Sequence, residues 1–252
     1  MSYPNLKNKH LYKSYFSAKD FIAYSKKSKD WKEFENPKIV ILIYSSKLLK
    51  YILEKYKTEH IEIFGDFYLL KNMSVGIFKI DGIGAPVAVT SLEEMIALGI
   101  DTFINFGTAG GLQEKSNIGD LVLCTKAIRD EGVSHHYIKS SMYSYPTKDL
   151  TLKLEEIFNK SDIKYIKGGS WTIDTPYRET VDEINHYKDL GILTVEMEAS
   201  ALFSVCQLRK INIASCFVIS DSLVDLEWNP QFGSEVLVNS LKNVLDTIIK
   251  ME

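Results

Sequence analysis

I-L-T-V-E-M-E-A-S-A-L-F-S-V, residues 192–205, is the stretch whose two halves demand different surroundings. From Ala199 onward, Ala199, Leu202, Phe203 and Cys206 recur at i, i+3, i+4 and i+7, the buried stripe of a helix. Residues 193–195 read as the end of a strand. Glu196 and Glu198 therefore fall at a strand-to-helix junction, on the rim of a sheet where α/β proteins bind ligands. Two readings of the pair stand side by side. In the first, a helix N-terminus favours negative charge and both glutamates only complement the dipole. Alternatively they form a polyol clamp, with carboxylate oxygens accepting from hydroxyls and the flexible Met197 thioether packing on the apolar face of a sugar.

Working outward, the 252 residues suffice for one α/β domain with a large core, and nothing inside them reads as a linker. Hydrophobic residues at 45% and charged residues at 25% are ordinary for a soluble globular protein, and no run approaches the roughly 18–20 apolar residues of a membrane span. The N-terminus lacks the apolar core of a signal peptide. Cys124, Cys206 and Cys216 sit in apolar runs without metal-ligand spacing, so a reducing, cytoplasmic compartment and no metal are expected. A net charge of −3 without a dense basic stripe argues against nucleic acid and for a small-molecule ligand. Arginine occurs only at 129, 178 and 209, so an arginine in a loop invites a role.

Residues 1–36, polar and aromatic, read as an N-terminal extension packed on a domain of residues 37–252. Within that domain, strand-like runs (39–44, 75–80, 102–106, 120–128, 163–168, 214–219) alternate with helical ones (from Leu48, 87–98, 150–158, 199–206, 232–249). Alternation of this kind predicts an α/β fold, a mixed sheet covered by helices. Polar or small-residue loops are expected at strand ends: Tyr44-Ser45-Ser46-Lys47, Gly107-Thr108-Ala109-Gly110-Gly111, residues 129–137, residues 170–179, Glu196–Glu198 and Ser220-Asp221-Ser222. Asp81-Gly82-Ile83-Gly84-Ala85-Pro86 opens a helix with two glycines through which backbone N–H groups can approach an anion. Adjacent His135 and His136 have the wrong spacing for a metal pair on a helix.

Taken in order, G-I-G-A-P, G-T-A-G-G-L, R-D-E-G-V-S-H-H-Y, T-I-D-T-P-Y-R-E-T, V-E-M-E-A-S-A-L and V-I-S-D-S resemble the nucleoside phosphorylase family, which includes uridine phosphorylase, hexameric purine nucleoside phosphorylase and methylthioadenosine nucleosidase. The resemblance covers roughly residues 37–250. It implies a single α/β domain with a mixed, partly barrel-like central sheet flanked by helices, and a homo-oligomer, either a dimer or a hexamer built as a trimer of dimers. It also implies no cofactor, with inorganic phosphate as co-substrate beside a nucleoside. Residue by residue, Glu198 matches the glutamate that takes the ribose 2′- and 3′-hydroxyls, with Met197 packed on the sugar and Glu196 beside them. Thr108 and Gly107 match the phosphate–sugar junction. Asp221 matches the aspartate that meets N7 of a departing purine, which makes Asp221 and Glu198 the catalytic pair. Ala109, Gly110, Pro176, Tyr177 and Arg178 match the base pocket.

The phosphate end departs from the family pattern. Relatives carry G-D-P and an arginine after the first strand, and a second arginine just before the G-T dipeptide; here the two sites read Tyr44-Ser45-Ser46-Lys47 and Asn105-Phe106-Gly107-Thr108. Ser46 and Lys47 are the expected substitutes, without a bidentate grip. A phosphorylase acting on a purine nucleoside or uridine is the expected activity, with hydrolysis by a nucleosidase, or nucleoside binding without turnover, as alternatives.

Overall fold

A computed structural model describes residues 3–28, 31, 33–62, 65–71 and 74–251. Its strands are β1 (Ile39–Ile43), β2 (Thr58–Ile61), β3 (Asp66–Leu70), β4 (Val75–Lys79), β5 (Thr102–Gly111), β6 (Leu121–Asp130), β7 (Tyr143–Ser144), β8 (Tyr165–Ile173), β9 (Thr194–Glu196), β10 (Asn212–Ser222) and β11 (Asn229–Pro230). The helices are α1 (Ala18–Ser25), α2 (Ser46–Lys55), α3 (Ala85–Ala97), α4 (Ser134–Tyr137), α5 (Lys148–Lys160), α6 (Val181–Asp189), α7 (Ala199–Arg209) and α8 (Glu235–Ile249). Residues 63 and 64, part of the strand-like run before Gly65, lie outside the described residues, as do 1, 2, 29, 30 and 32 of the N-terminal stretch.

Three helices begin at residues suited to start them. Ser45 accepts from the Leu48 N–H at 3.3 Å, Thr180 and Glu183 form a reciprocal capping box at α6, and Pro86 sits in the first turn of α3. The stripe expected from Ala199 becomes all-round burial: every residue from Ala199 to Cys206 is buried, because α7 is enclosed by α3, α4 and the sheet. Fully burying Leu202 and Phe203 contributes roughly 1.5–3 kcal/mol each. The small residues Ala199, Ser200, Ala201 and Ser204 let neighbouring backbone approach, and the two serines are satisfied within the helix and by Glu131.

The sheet is mixed and closes on itself. β5 pairs with β10, β10 with β6, β6 with β8, β8 with β9, and β9 returns to β5, giving a five-stranded ring, with β1, β4, β3 and β2 continuing outward from β5. Along one edge β5 changes partner. Phe103, Ile104 and Asn105 pair in parallel with Val40, Ile41 and Leu42 of β1, whereas Gly110 and Gly111 pair antiparallel with Val195 and Thr194 of β9. Between these contacts, Phe106 to Ala109 belong to neither partner on that edge, and the sheet forks there. Forks of this kind, where strand order switches, are where open α/β sheets take ligands.

Four strand ends run further than periodicity indicated. β5 continues through the glycine-rich residues 107–111, expected as a loop, because β10 pairs with them all the way to Ser222↔Gly111. β8 runs to Ile173 and β6 to Asp130 because each supplies the other's ladder, Asp130↔Ile173 being the last rung. Alternating apolar character stops before these residues, but the hydrogen-bond ladder does not. For the same reason Asp221 and Ser222 lie within β10, paired with Pro230 and Asn229 of β11, and not in a loop beyond it.

Upstream of β1, the N-terminal stretch touches the domain at named points. Tyr3 Oη lies 2.8 Å from His136 Nε2, Lys9 Nζ lies 2.6 Å from His136 Nδ1, and Asn36 Nδ2 donates to the Leu98 carbonyl. Among the described residues no helix is long and apolar enough to cross a membrane.

Candidate active site at the fork of the sheet

β9 ends at the fork and delivers the carboxylates. Glu196 is buried, and its carboxylate turns into the protein: one oxygen accepts from Thr172 Oγ1 (2.6 Å) and Ser170 Oγ (3.0 Å), the other from the N–H groups of Glu198 (2.8 Å) and Ala199 (2.7 Å). This corrects the expectation that Glu196 contacts a sugar. With four donors already on two oxygens, it anchors the first turn of α7 and leaves ligand contact to its neighbour.

Glu198 is the N-cap residue of α7 and is buried. Its Oε1 accepts from the Gly84 N–H at 2.6 Å and its Oε2 from the Met197 N–H at 3.3 Å, leaving one lone pair on each oxygen. Burial, and then the charge of Glu196, push its pKa up, against the pull of the two N–H donors. Gly84 reaches this position with φ +100°, a conformation L side chains rarely adopt, and Met197 Cε stands 3.7 Å from where its Cβ would be. The G-I-G turn thus places a backbone N–H on a carboxylate, where the sequence had suggested a free anion.

Asp221 arrives from the other side. It pairs with Gly110 across β10 and β5, and Val195 pairs with the same Gly110 across β5 and β9. A Cβ on Gly110 would fall 2.8 Å from Leu223, 3.0 Å from Val195 and 3.3 Å from Asp221 Oδ2, so only glycine fits between them. With adjacent strands about 4.8 Å apart, the backbones of Asp221 and Val195 are on the order of 10 Å from one another. Glu198 follows Val195 by three residues, past the end of β9. Asp221 Oδ1 accepts from Ser220 Oγ at 2.7 Å and Oδ2 from Trp228 Nε1 at 3.0 Å.

The remaining expected residues divide. Thr108 is exposed at the fork and Gly107 half-exposed beside it, while Ala109 is buried. Ser46 and Lys47 are exposed on the first turn of α2. Pro176, Tyr177 and Arg178 form a short 3-10 turn; Tyr177 is almost wholly exposed, and Arg178 lines a separate cleft of about 360 Å³ with Asp130, Thr175, Thr180 and Glu183. Neither this cleft nor the cavity of about 990 Å³ beneath the N-terminal stretch includes Glu198 or Asp221. Among the described residues no group of three or more His, Cys, Asp or Glu is placed to hold a metal ion.

Three side chains at the site escaped the sequence reading. Tyr44, at the end of β1, donates to Asn105 Oδ1 at 2.8 Å, and its ring lies 3.2 Å from where a Gly107 Cβ would be. Burial, then Glu198 and Glu196, drive its pKa well above the ordinary tyrosine value. Glu179 follows the 3-10 turn; burial, then the charges of Asp221 and Glu183, push its pKa up to about 7. Trp228, on the loop before β11, is the third. The loss of arginine at 44–47 and 105 was a signal for Tyr44; nothing in the pattern around Trp228 marked it.

A five-stranded ring with paired carboxylates at a forked strand defines an α/β enzyme-like scaffold with an enclosed polar rim. The family profile of the phosphorylase superfamily matches residues 38–250, and the chain belongs to that superfamily. It is 29% identical over 143 residues to a guanosine phosphorylase of Halorubrum lacusprofundi, covering 57% of this chain and 59% of that one. It is 30% identical over 139 residues to a uridine phosphorylase of Haemophilus influenzae, covering 50% and 55%. Over 214 residues it is 27% identical to a DeoD-type purine nucleoside phosphorylase of an Exiguobacterium species, covering 80% and 85%. The chain thus spans somewhat over half the length of the first two relatives. Among solved structures, a purine nucleoside phosphorylase of Toxoplasma gondii in complex with immucillin-H superposes with a TM-score of 0.77 at 17% identity, covering 86% of this chain and 90% of that one. A uridine phosphorylase of Vibrio fischeri gives 0.72 at 24%, covering 86% and 91%. Both share the fold, with the single domain and partly barrel-like sheet expected from the motifs.

Proposed function

We propose that this chain is a nucleoside phosphorylase that cleaves the N-glycosidic bond of a purine nucleoside, or of uridine, with phosphate, giving free base and ribose 1-phosphate. One observation supports the reading: Gly110 of β5 lies between Asp221 of β10 and Val195 of β9, the strand that leads three residues on to Glu198. Breaking that bond develops oxocarbenium character on the ribose and negative charge on the base. Glu198, with a free lone pair on each oxygen, accepts from the 2′- and 3′-hydroxyls, while Met197 packs on the ring. Asp221 meets the base at N7. In this reading the exposed Thr108, with Gly107, meets the attacking group together with Ser46 and Lys47, while Ala109 and Gly110 floor the base end. Pro176, Tyr177 and Arg178 border that end through Glu179. In this reading the enzyme needs no cofactor beyond phosphate as co-substrate, works as a homo-oligomer in the cytoplasm, and carries its N-terminal 36 residues as an extension on the catalytic domain.

A second reading, hydrolysis, draws on a specific observation. Asn105, in the stretch where the resemblance leads one to expect an arginine, is fully buried, engages Tyr44 and Ser215 with its amide and brings no positive charge to a dianion. A nucleosidase need only place a water. Inosine, guanosine and uridine assayed with and without phosphate, with free base and ribose 1-phosphate both measured, separate the readings. Phosphate-dependent sugar phosphate supports phosphorolysis, and equal base release in phosphate-free buffer supports hydrolysis. Binding without turnover in either buffer reduces the protein to a nucleoside-binding one.

A further inference from the structure

Between β10 and α8, residues 223–234 form a flap that folds back on the site. β11 pairs with Asp221 and Ser222, the Gln231 N–H donates to the Ser220 carbonyl, and Lys188 Nζ holds the Val224 carbonyl at 2.7 Å. The flap carries two large aromatics into solvent. Trp228 is 64% exposed and Phe232 56%, their rings tilted together at 6.2 Å. An exposed indole is a poor use of apolar surface unless something covers it. Its single polar atom, Nε1, is spent on Asp221 Oδ2, the carboxylate that faces the leaving base in the reading above.

We propose that Trp228 is a base-contacting residue that sets purine preference: in the empty site its indole N–H occupies Asp221 Oδ2, and when a purine arrives the carboxyl takes up a proton from solvent and donates it as a hydrogen bond to N7, while the displaced indole closes over the bicyclic ring. The geometry supplies both halves of the exchange. Asp221 Oδ1 keeps the Ser220 hydroxyl throughout, so only Oδ2 changes partner. Leu223, at the root of the flap and packed on Gly110, forms the opposite apolar wall. Two rings meeting an indole bury more surface than one, so a purine gains from this contact what uracil does not.

The inference rests on the nucleoside reading of the site, and its test separates the two. Wild type, Trp228→Phe and Trp228→Ala are titrated with inosine, guanosine and uridine, followed by tryptophan emission and by steady-state rates. Of the other two tryptophans, Trp171 is fully buried with its N–H on Asp130, and Trp31 lies in the N-terminal stretch beside Lys26. Purine nucleosides are expected to change the wild-type emission, and that change is lost in Trp228→Phe. Stacking on one base, at about 1–3 kcal/mol, corresponds to roughly tenfold or more in KM for Trp228→Ala with purines, with Trp228→Phe within about threefold of wild type and uridine little affected. Turnover in the wild type with an unchanged purine KM in Trp228→Ala, or an emission change that survives in Trp228→Phe, overturns the proposal and leaves the nucleoside reading standing. A wild-type protein that neither binds nor turns over any of the three nucleosides overturns both.

Discussion

The Tyr44 hydroxyl donates to Asn105 Oδ1 at 2.8 Å, and the Asn105 amide in turn donates to Ser215 Oγ at 3.1 Å. That chain closes the wall of the fork with neutral groups. In the phosphorolytic reading, a phosphate dianion at the fork would meet the exposed Lys47 and Thr108.

Lys47→Ala is therefore expected to raise the KM for phosphate about tenfold, the scale of one charge-assisted hydrogen bond, while leaving the nucleoside KM within twofold. Initial rates with phosphate varied at saturating inosine measure this. An unchanged phosphate KM removes Lys47 from the site.

Glu196 holds four donors in the interior, so its removal strands them. Glu196→Ala is expected to destabilise the fold by about 2–4 kcal/mol in urea unfolding. Glu196→Gln retains the shape but turns an N–H₂ toward donors on one side, and it too should lose stability. A fully stable Glu196→Gln protein would show that the carboxylate's charge is not what organises the junction.

Gly84 carries φ +100° and gives its N–H to Glu198. Gly84→Ala is expected to cost about 1–3 kcal/mol in backbone strain and, by shifting the N–H, to weaken nucleoside binding more than it lowers kcat. Calorimetric titration of the variant against wild type tests this, and equal affinity would detach the G-I-G turn from the sugar clamp.

Glu179 has its pKa raised to about 7 by burial and by the charges of Asp221 and Glu183. A carboxyl whose folded pKa lies above its unfolded value contributes stability that is fully present below about 4.5 and is lost as pH rises through about 7. The melting temperature of wild type should accordingly fall relative to that of Glu179→Gln across pH 4.5–7, and the difference should level off above. Parallel curves for the two proteins would show that Glu179 ionises as freely in the folded chain as in the unfolded one.

Much of this was legible in the sequence. A continuous apolar run marked β1, and helical spacing marked α2 and α5, which each bury one face. The V-E-M-E junction fell where the structure has it, since β9 and α7 are joined without an intervening loop. What escaped was settled by tertiary pairing. Residues 107–111 look like a loop because glycines lack side chains to show a period, yet β10 holds them in a ladder; Glu196 and Glu198 would share a face in a continued strand, but the chain leaves β9 between them, so one reaches Thr172 and the other Gly84. Trp228 lies in a segment with no period at all, and only the return pairing of β11 brings it to Asp221.

The partner change along β5 has a bearing on how a ligand gets in and out. One continuous strand carries Thr108 and Gly110, is paired to β10 from end to end, and ties Asp221 on β10 and the β9 strand that leads to Glu198 into one ring, so the two sides of the fork do not move as separate bodies. Traffic is left to the flap. Product escape should accordingly track how fast residues 223–234 lift, and stiffening that segment would slow turnover even with every reacting group untouched.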